Sequence, residues 1–303
     1  MAKTRDRSWP PPPTPLPHPV IDNHTHLQSI SHITTSEAPD HGIRGYVDAA
    51  VSVGVTRMIE VGCDLDALAP TVALTAAHPE LLGALAIHPN ETPLHAHTAD
   101  PGPDGLDPHY SDRHSTSLAD AIATVADLAA AHDQIRAIGE TGLDYFRSGP
   151  HGIATQRQAF RDHIAIAKEL NLALQIHDRD AHEDVIEILL ADGAPQRTVF
   201  HCYSGDAAMA QVAAEQGWYL SFAGPVTFTA NTGLREALRV IPTDHIMVET
   251  DAPYLTPHPY RGRPNAPYLI PHTMATIAAE CGLTLEQACA RIERTTVEVY
   301  GRW

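Results

Sequence analysis

Lysine is nearly missing from this 303-residue chain: Lys3 and Lys168 are the only two. Positive charge as a whole is scarce, with 20 Lys and Arg against 37 Asp and Glu and a formal net charge of −17. So acidic a chain is unfavourable for holding a long nucleic acid by phosphate contacts alone. An anion held by bound cations at one focused place remains compatible with it. Cysteine is sparse too: Cys63, Cys202, Cys281 and Cys289 form no CxxC pair. That excludes a disulfide framework and is read as reduced thiols in the cytoplasm. No apolar run reaches the length of a membrane span, and no apolar segment follows the basic N-terminal residues. Neither a membrane nor a secretory signal is expected. What is present is a 43% hydrophobic composition, which excludes global disorder. The length suits one large α/β domain or two small ones. Histidine is abundant, at 20, so a single histidine carries little information.

Residues 10–19 hold seven prolines and predict an extended tail in polyproline conformation; residues 1–19 are expected to be disordered. From residue 20 short β-branched or apolar runs alternate with Ala-rich helical stretches. Eight strands are predicted: 20–26, 56–61, 81–88, 135–139, 172–177, 198–201, 218–222 and 245–249. Between them, apolar residues recur at three-to-four spacing, as in Ile122-Val125-Ala126-Leu128-Ala129 and Phe160-Ile164-Ala167-Leu170. Eight strand–helix units predict an α/β fold, a closed (β/α)8 TIM barrel filling residues 20–303 as one domain. The competing open doubly wound sheet would want a Gly-rich turn after its first strand, where this chain has His24-Thr25-His26. One interval is too long for its helix. Residues 91–116, rich in Pro, Asp, Gly and His, read as a loop insertion, either a mobile flap or a plain surface excursion.

The stretch Ile246-Met247-Val248-Glu249-Thr250-Asp251-Ala252-Pro253 runs an apolar strand into two carboxylates and a proline that stops it. Asp251 therefore falls where a barrel places its chemistry. His24 and His26 end the first strand, and i, i+2 spacing turns both to one side. Asp22 and Asn23 are candidates to orient those imidazoles. Glu140 follows the fourth strand between Gly139 and Gly142; a solvated glutamate is commoner, but a barrel rim favours burial. His177 and His201 close the fifth and sixth strands. Six nitrogen and oxygen ligands at equivalent strand ends read as a binuclear metal site: His24, His26, Glu140, His177, His201 and Asp251. Lysine scarcity adds an exclusion. No lysine stands at a strand end, so a carbamylated lysine cannot bridge two metals, and Glu140 is the carboxylate at that place.

With those residues in view, the chain resembles the TatD-like metal-dependent deoxyribonucleases of the amidohydrolase superfamily. The matching motifs are Asp22-Asn23-His24-Thr25-His26, Gly139-Glu140-Thr141-Gly142-Leu143-Asp144-Tyr145, Ile176-His177 with Arg179-Asp180-Ala181, and His201-Cys202-Tyr203-Ser204-Gly205. Glu249-Thr250-Asp251-Ala252-Pro253-Tyr254-Leu255 and Pro259-Tyr260-Arg261-Gly262 continue the set, which covers roughly residues 20 to 300. The Pro-rich leader and the 91–116 insertion are longer than the family's usual lengths.

The resemblance implies a barrel, a divalent-metal site and phosphodiester hydrolysis, usually from a 3′ end. By position it implies His24, His26 and Asp251 on one metal, His177 and His201 on the other, and Glu140 as bridge. His88 matches a histidine at the substrate mouth, and Arg179 and Arg261 are candidate phosphate grips. The expected cofactors are two divalent cations (zinc, magnesium or manganese) that supply a metal-bound hydroxide. Asp251 would orient it and take its proton. The expected substrate is a single-stranded DNA end or a small phosphoester, with no membrane and no protein partner. Hydrolysis of a small ester, amide or lactone is the alternative on the same barrel. A non-catalytic scaffold barrel would be expected to have lost ligands, and all six are present.

Overall fold

The computed structural model describes residues 6–302. Its eight strands are β1 Val20–Thr25, β2 Val55–Gly62, β3 Leu81–Leu85, β4 Ile135–Asp144, β5 Ala173–Arg179, β6 Thr198–Phe200, β7 Tyr219–Phe222 and β8 Ile246–Val248. They lie in one sheet in chain order, pair in parallel and alternate with helices, which is the (β/α)8 TIM-barrel architecture. All eight predicted strands form. Among the described residues, no helix is long and apolar enough to cross a membrane.

The chain divides into two compact units. One comprises the described residues up to Glu60 together with Gly205–Glu298; the other comprises Val61–Ser204 and the described residues from Val299 on. In the first, all six residues of β1 are buried. The loop leaving β8 pairs with β1 instead of departing from it: Thr25 bridges Ala252, the Asp251 amide donates to the His24 carbonyl at 3.0 Å, and the His26 amide donates to the Ala252 carbonyl at 2.8 Å.

The N-terminal segment belongs to this unit and corrects the expected disordered tail. Arg263 donates from Nε to the Ser8 carbonyl at 2.8 Å and from Nη2 to the Trp9 carbonyl at 2.6 Å. Tyr268 Oη donates to the Pro10 carbonyl at 2.7 Å, and Leu16, buried, donates its amide to the Val53 carbonyl at 2.9 Å. Proline has no N–H but keeps its carbonyl, so a proline-rich strip can be held by donors from elsewhere. Residues 1–5 of the expected tail lie outside the described residues.

In the second unit helix starts are fixed by side-chain oxygens: Asp64 accepts from the Ala67 amide at 2.9 Å, and Ser117 from the Asp120 amide at 3.2 Å. Helix Pro150–Glu169 opens with proline at its first position and buries Gln156, Phe160, His163 and Ile164. The 91–116 stretch is not structureless. It holds a helical turn at Thr92–His95 and a 3-10 turn at Asp112–Ser115. Arg113 clamps Glu91 through Nε at 2.8 Å and Nη2 at 3.0 Å, while Asp100 accepts the Gly152 amide at 3.0 Å. The insertion is thus tied at both ends by charged hydrogen bonds that its polar composition supplies.

Candidate metal centre

The first cluster is built on the β1–β8 pairing. His24 lies in the strand and His26 one residue past its end, yet their Nε2 atoms stand 3.2 Å apart, as the i, i+2 spacing predicts. Asp251 Oδ1 lies 3.9 Å from His24 Nε2 and 3.6 Å from His26 Nε2. Asp251 has φ +52°, a left-handed conformation that aspartate tolerates better than most residues.

Asp22 holds the two chain segments together. Its carboxylate accepts the Thr250 amide at 2.9 Å, the Thr250 hydroxyl at 2.5 Å and the His24 amide at 3.2 Å. Burial pushes its pKa up to about 8, against the pull of those donors. Asp22 therefore positions backbone, where an imidazole contact was expected. Asn23 Nδ2 donates to Ser221 Oγ at 2.6 Å and to Glu249 Oε2 at 3.2 Å. Glu60, which sequence reasoning missed, accepts the Leu27 amide at 2.8 Å and the Gln28 amide at 3.3 Å, capping the turn after His26. Burial raises its pKa to about 7.

The second cluster centres on Glu140. The sequence expectation ended the fourth strand at Gly139; instead β4 runs on to Asp144, with a register shift against β5 between Ile138 and Thr141. Such an irregularity re-aims a side chain, and Glu140, buried, sits within it. Gly142 pairs with His177 at φ +138°, where any Cβ would strike the His177 carbonyl oxygen, so only glycine fits. Glu140 Oε1 faces His177 Nδ1 at 2.6 Å, His201 Nε2 at 2.9 Å and His88 Nε2 at 3.3 Å. Burial alone would raise the Glu140 pKa, but the imidazoles of His201, His88 and His177 outweigh it and hold it well below the usual carboxylate range.

His177 is gripped on both nitrogens, since Nε2 meets Asp144 Oδ2 at 3.1 Å. Burial disfavours its charge, yet the two carboxylates raise its pKa to about 9. Asp144 falls to about 2: burial opposes its charge, and His177 and the Asn90 amide at 3.1 Å prevail. Asp144 stands in the Gly139–Tyr145 motif and lies outside the site residues expected from sequence. The alternation Glu140, Gly142, Asp144 along one strand face was the signal that could have found it. His88 Nδ1 accepts the Asn90 amide at 3.0 Å, so a neutral His88 carries its hydrogen on Nε2, toward Glu140.

Among the described residues, no side-chain hydrogen bond joins Arg179 to the second cluster, although its backbone pairs with that of Asp144, and none joins Arg261 to the first. Arg179 is exposed, with its guanidinium 4.1 Å from the Phe146 ring centroid, and Arg261 lies 4.8 Å from that of Phe228. No ion pair to either arginine occurs among the described residues; Asp178 pairs with His182 at 2.8 Å.

His163 supports the second cluster from behind. Its Nδ1 donates to the Ala159 carbonyl at 2.7 Å, and its Nε2 accepts the Ile87 amide at 3.2 Å, beside His88. Burial lowers its pKa to about 4 from an ordinary 6.5. Between those values the unfolded chain binds a proton that the folded one refuses, so stability falls as pH falls. The loss from this residue reaches about 3 kcal/mol near pH 4. Urea unfolding at pH 7 and pH 4.5 is expected to show a smaller acid loss in His163→Gln than in the wild type; equal losses would remove His163 from the account.

The donor chemistry fits divalent cations. Imidazole nitrogens and carboxylate oxygens converge in buried surroundings in both clusters, and mixed N/O sets of this kind suit zinc, manganese and related ions. The charge at Glu140 calls for a positive partner, which a cation or a protonated imidazole supplies equally.

Comparison with known proteins gives the family and the fold. A metal-dependent hydrolase of Mycobacterium tuberculosis named TatD, described as uncharacterized, is 35% identical over 266 residues, 86% of this chain and 89% of that protein. A Bacillus subtilis protein described in the same words, YabD, is 33% identical over 88% of this chain and 93% of its own length. The crystal structure of YjjV, a TatD homologue of Escherichia coli, superposes with a TM-score of 0.76 at 20% identity, covering 94% of this chain and 98% of that one, which establishes likeness of fold. The family model described as TatD related DNase matches residues 21–301, which takes in both clusters and every strand residue but Val20, and the chain belongs to that family.

Proposed function

We propose that this protein is a metal-dependent phosphodiester hydrolase, a 3′–5′ exodeoxyribonuclease acting on single-stranded DNA ends. The observation that carries the proposal is the buried Glu140 carboxylate facing the imidazoles of His88, His177 and His201. In this reading His24, His26 and Asp251 hold one divalent cation, His177 and His201 hold a second, and Glu140 is shared. Bound cations would supply Lewis acidity toward a phosphoryl oxygen and acidify water.

The chain's own residues do the rest. Asp251 Oδ1 accepts a proton from the attacking water. His88 hydrogen-bonds the leaving oxygen through its N–H at Nε2, the tautomer that Asn90 fixes, and the proton that Asp251 took from water passes to that oxygen. Asp22 and Glu60 keep Asp251, His24 and His26 in place through backbone hydrogen bonds. Arg179, exposed at the end of β5, meets the phosphate chain.

The test is digestion of a 5′-labelled single-stranded oligodeoxynucleotide by protein reconstituted with zinc, magnesium or manganese. A ladder of products shortened from the 3′ end, abolished by chelator, is the expected result. No cleavage by protein with confirmed bound metal, together with turnover of esters or lactones, would move the assignment to a small-molecule hydrolase, which the −17 net charge would suit.

A further inference from the structure

We propose that the N-terminal segment supplies Arg7 to a phosphate-binding subsite shared with Arg261, so that residues preceding the family match help to hold the DNA strand. The inference rests on the phosphodiesterase reading above and places a neighbouring phosphate of that substrate. A cavity of about 500 Å³ in the first unit is lined by Arg7, Arg261 and Arg263 with Phe228, Pro253 and Leu255 among its walls. That volume lies in the range of small-ligand sites. Among the described residues no aspartate or glutamate lines it, although acidic residues outnumber basic ones by nearly two to one in the chain. A cavity wall without acidic side chains, carrying two arginines beside the structurally committed Arg263, selects an anion.

The three arginines have different duties. Arg263 is committed to structure, donating to Ser8 and Trp9 and pairing with Asp6 at 3.0 Å. Arg7 and Arg261 are exposed and have no ion pair among the described residues. Arg261 stacks over Phe228, which leaves its in-plane N–H groups for a phosphate and offers an aromatic surface beside it. Arg7 is one residue from Ser8, so the docking of Ser8 and Trp9 fixes where it can reach.

The cavity also lies next to the first cluster along the chain. Pro253 and Leu255 lie two and four residues after Asp251, and Tyr254 between them is 55% exposed, its ring centroid 6.3 Å from that of His26. A strand whose scissile phosphate sits at Asp251 would meet an exposed aromatic and then the arginines, the pairing of base stacking with backbone charge that single strands favour.

The test uses the metal-loaded full chain and a short single-stranded phosphorothioate oligodeoxynucleotide, with Kd measured by fluorescence anisotropy across a salt series. Arg7→Ala is expected to raise Kd about fivefold and to reduce the salt slope by about 0.7, the value of one lost phosphate contact. Arg44→Ala, on an exposed helix face where Arg44 is paired with Asp48, is expected to match the wild type in both. An Arg7→Ala variant with wild-type Kd and slope, or an equal effect from Arg44→Ala, overturns the proposal. Cleavage of the natural diester separates it from the activity assignment. Arg7-dependent binding without cleavage sustains the subsite and removes the phosphodiesterase reading. Cleavage with an indifferent Arg7→Ala does the reverse, and a protein that neither binds nor cleaves removes both.

Discussion

Glu140→Gln is expected to lower kcat by about a thousandfold or more and to strip metal from the second cluster. Glutamine keeps the shape of the side chain but removes the charge on which three imidazoles converge at 2.6, 2.9 and 3.3 Å. It also places an amide where His177, His201 and His88 all need an acceptor. A cation held there loses both a ligand and the compensating charge, and losing one preorganised electrostatic partner in a buried site costs about 10²–10³ in rate before any loss of metal is counted. Metal content by mass spectrometry, kcat on a phosphodiester and far-UV circular dichroism check the prediction together. A folded variant with full metal content and kcat within tenfold of wild type would remove Glu140 from the ligand set.

Asp251→Asn is expected to lower kcat by about a thousandfold at saturating metal while KM changes only a few-fold. Asparagine tolerates the left-handed backbone at this position, φ +52°. The hydrogen bonds that fix the loop are made by main-chain atoms, from the Asp251 amide to the His24 carbonyl at 3.0 Å and from the Tyr254 amide to the Asp251 carbonyl at 2.8 Å. The geometry is therefore retained and the base is lost, and a positioned general base contributes about 10²–10⁴ in rate. Unchanged kcat with metals bound would show that Asp251 takes no proton, and a large rise in KM alone would make it a binding group instead.

Both predictions concern residues that were visible in the sequence, and for the same reason. Strand periodicity and the residues that end a strand are local properties. The eight apolar runs therefore gave eight strands, and His24, His26, His177, His201 and Asp251 could each be assigned near a strand end, although β5 runs on past His177 to Arg179. Glu140 was also visible, but its strand was drawn too short. A shift in register against β5 is a relation between two strands and leaves no mark on one of them. Asp144 was hidden behind that error.

What the sequence by itself determined is the barrel's order of elements and the histidines and carboxylates at or near its strand ends, because residue periodicity and chain breakers act over a few residues. Tertiary structure alone decided which groups support them. Glu60 reaches Leu27 across 33 positions, His163 reaches Ile87 across 76, and Arg263 reaches Ser8 across 255. The proline-rich start looked free because proline cannot join a ladder through its nitrogen. It is held because its carbonyls, and those of its neighbours, still accept hydrogen bonds from Arg263 and Tyr268. Such pairings depend on which distant donors the folded chain brings alongside, and no local pattern encodes that.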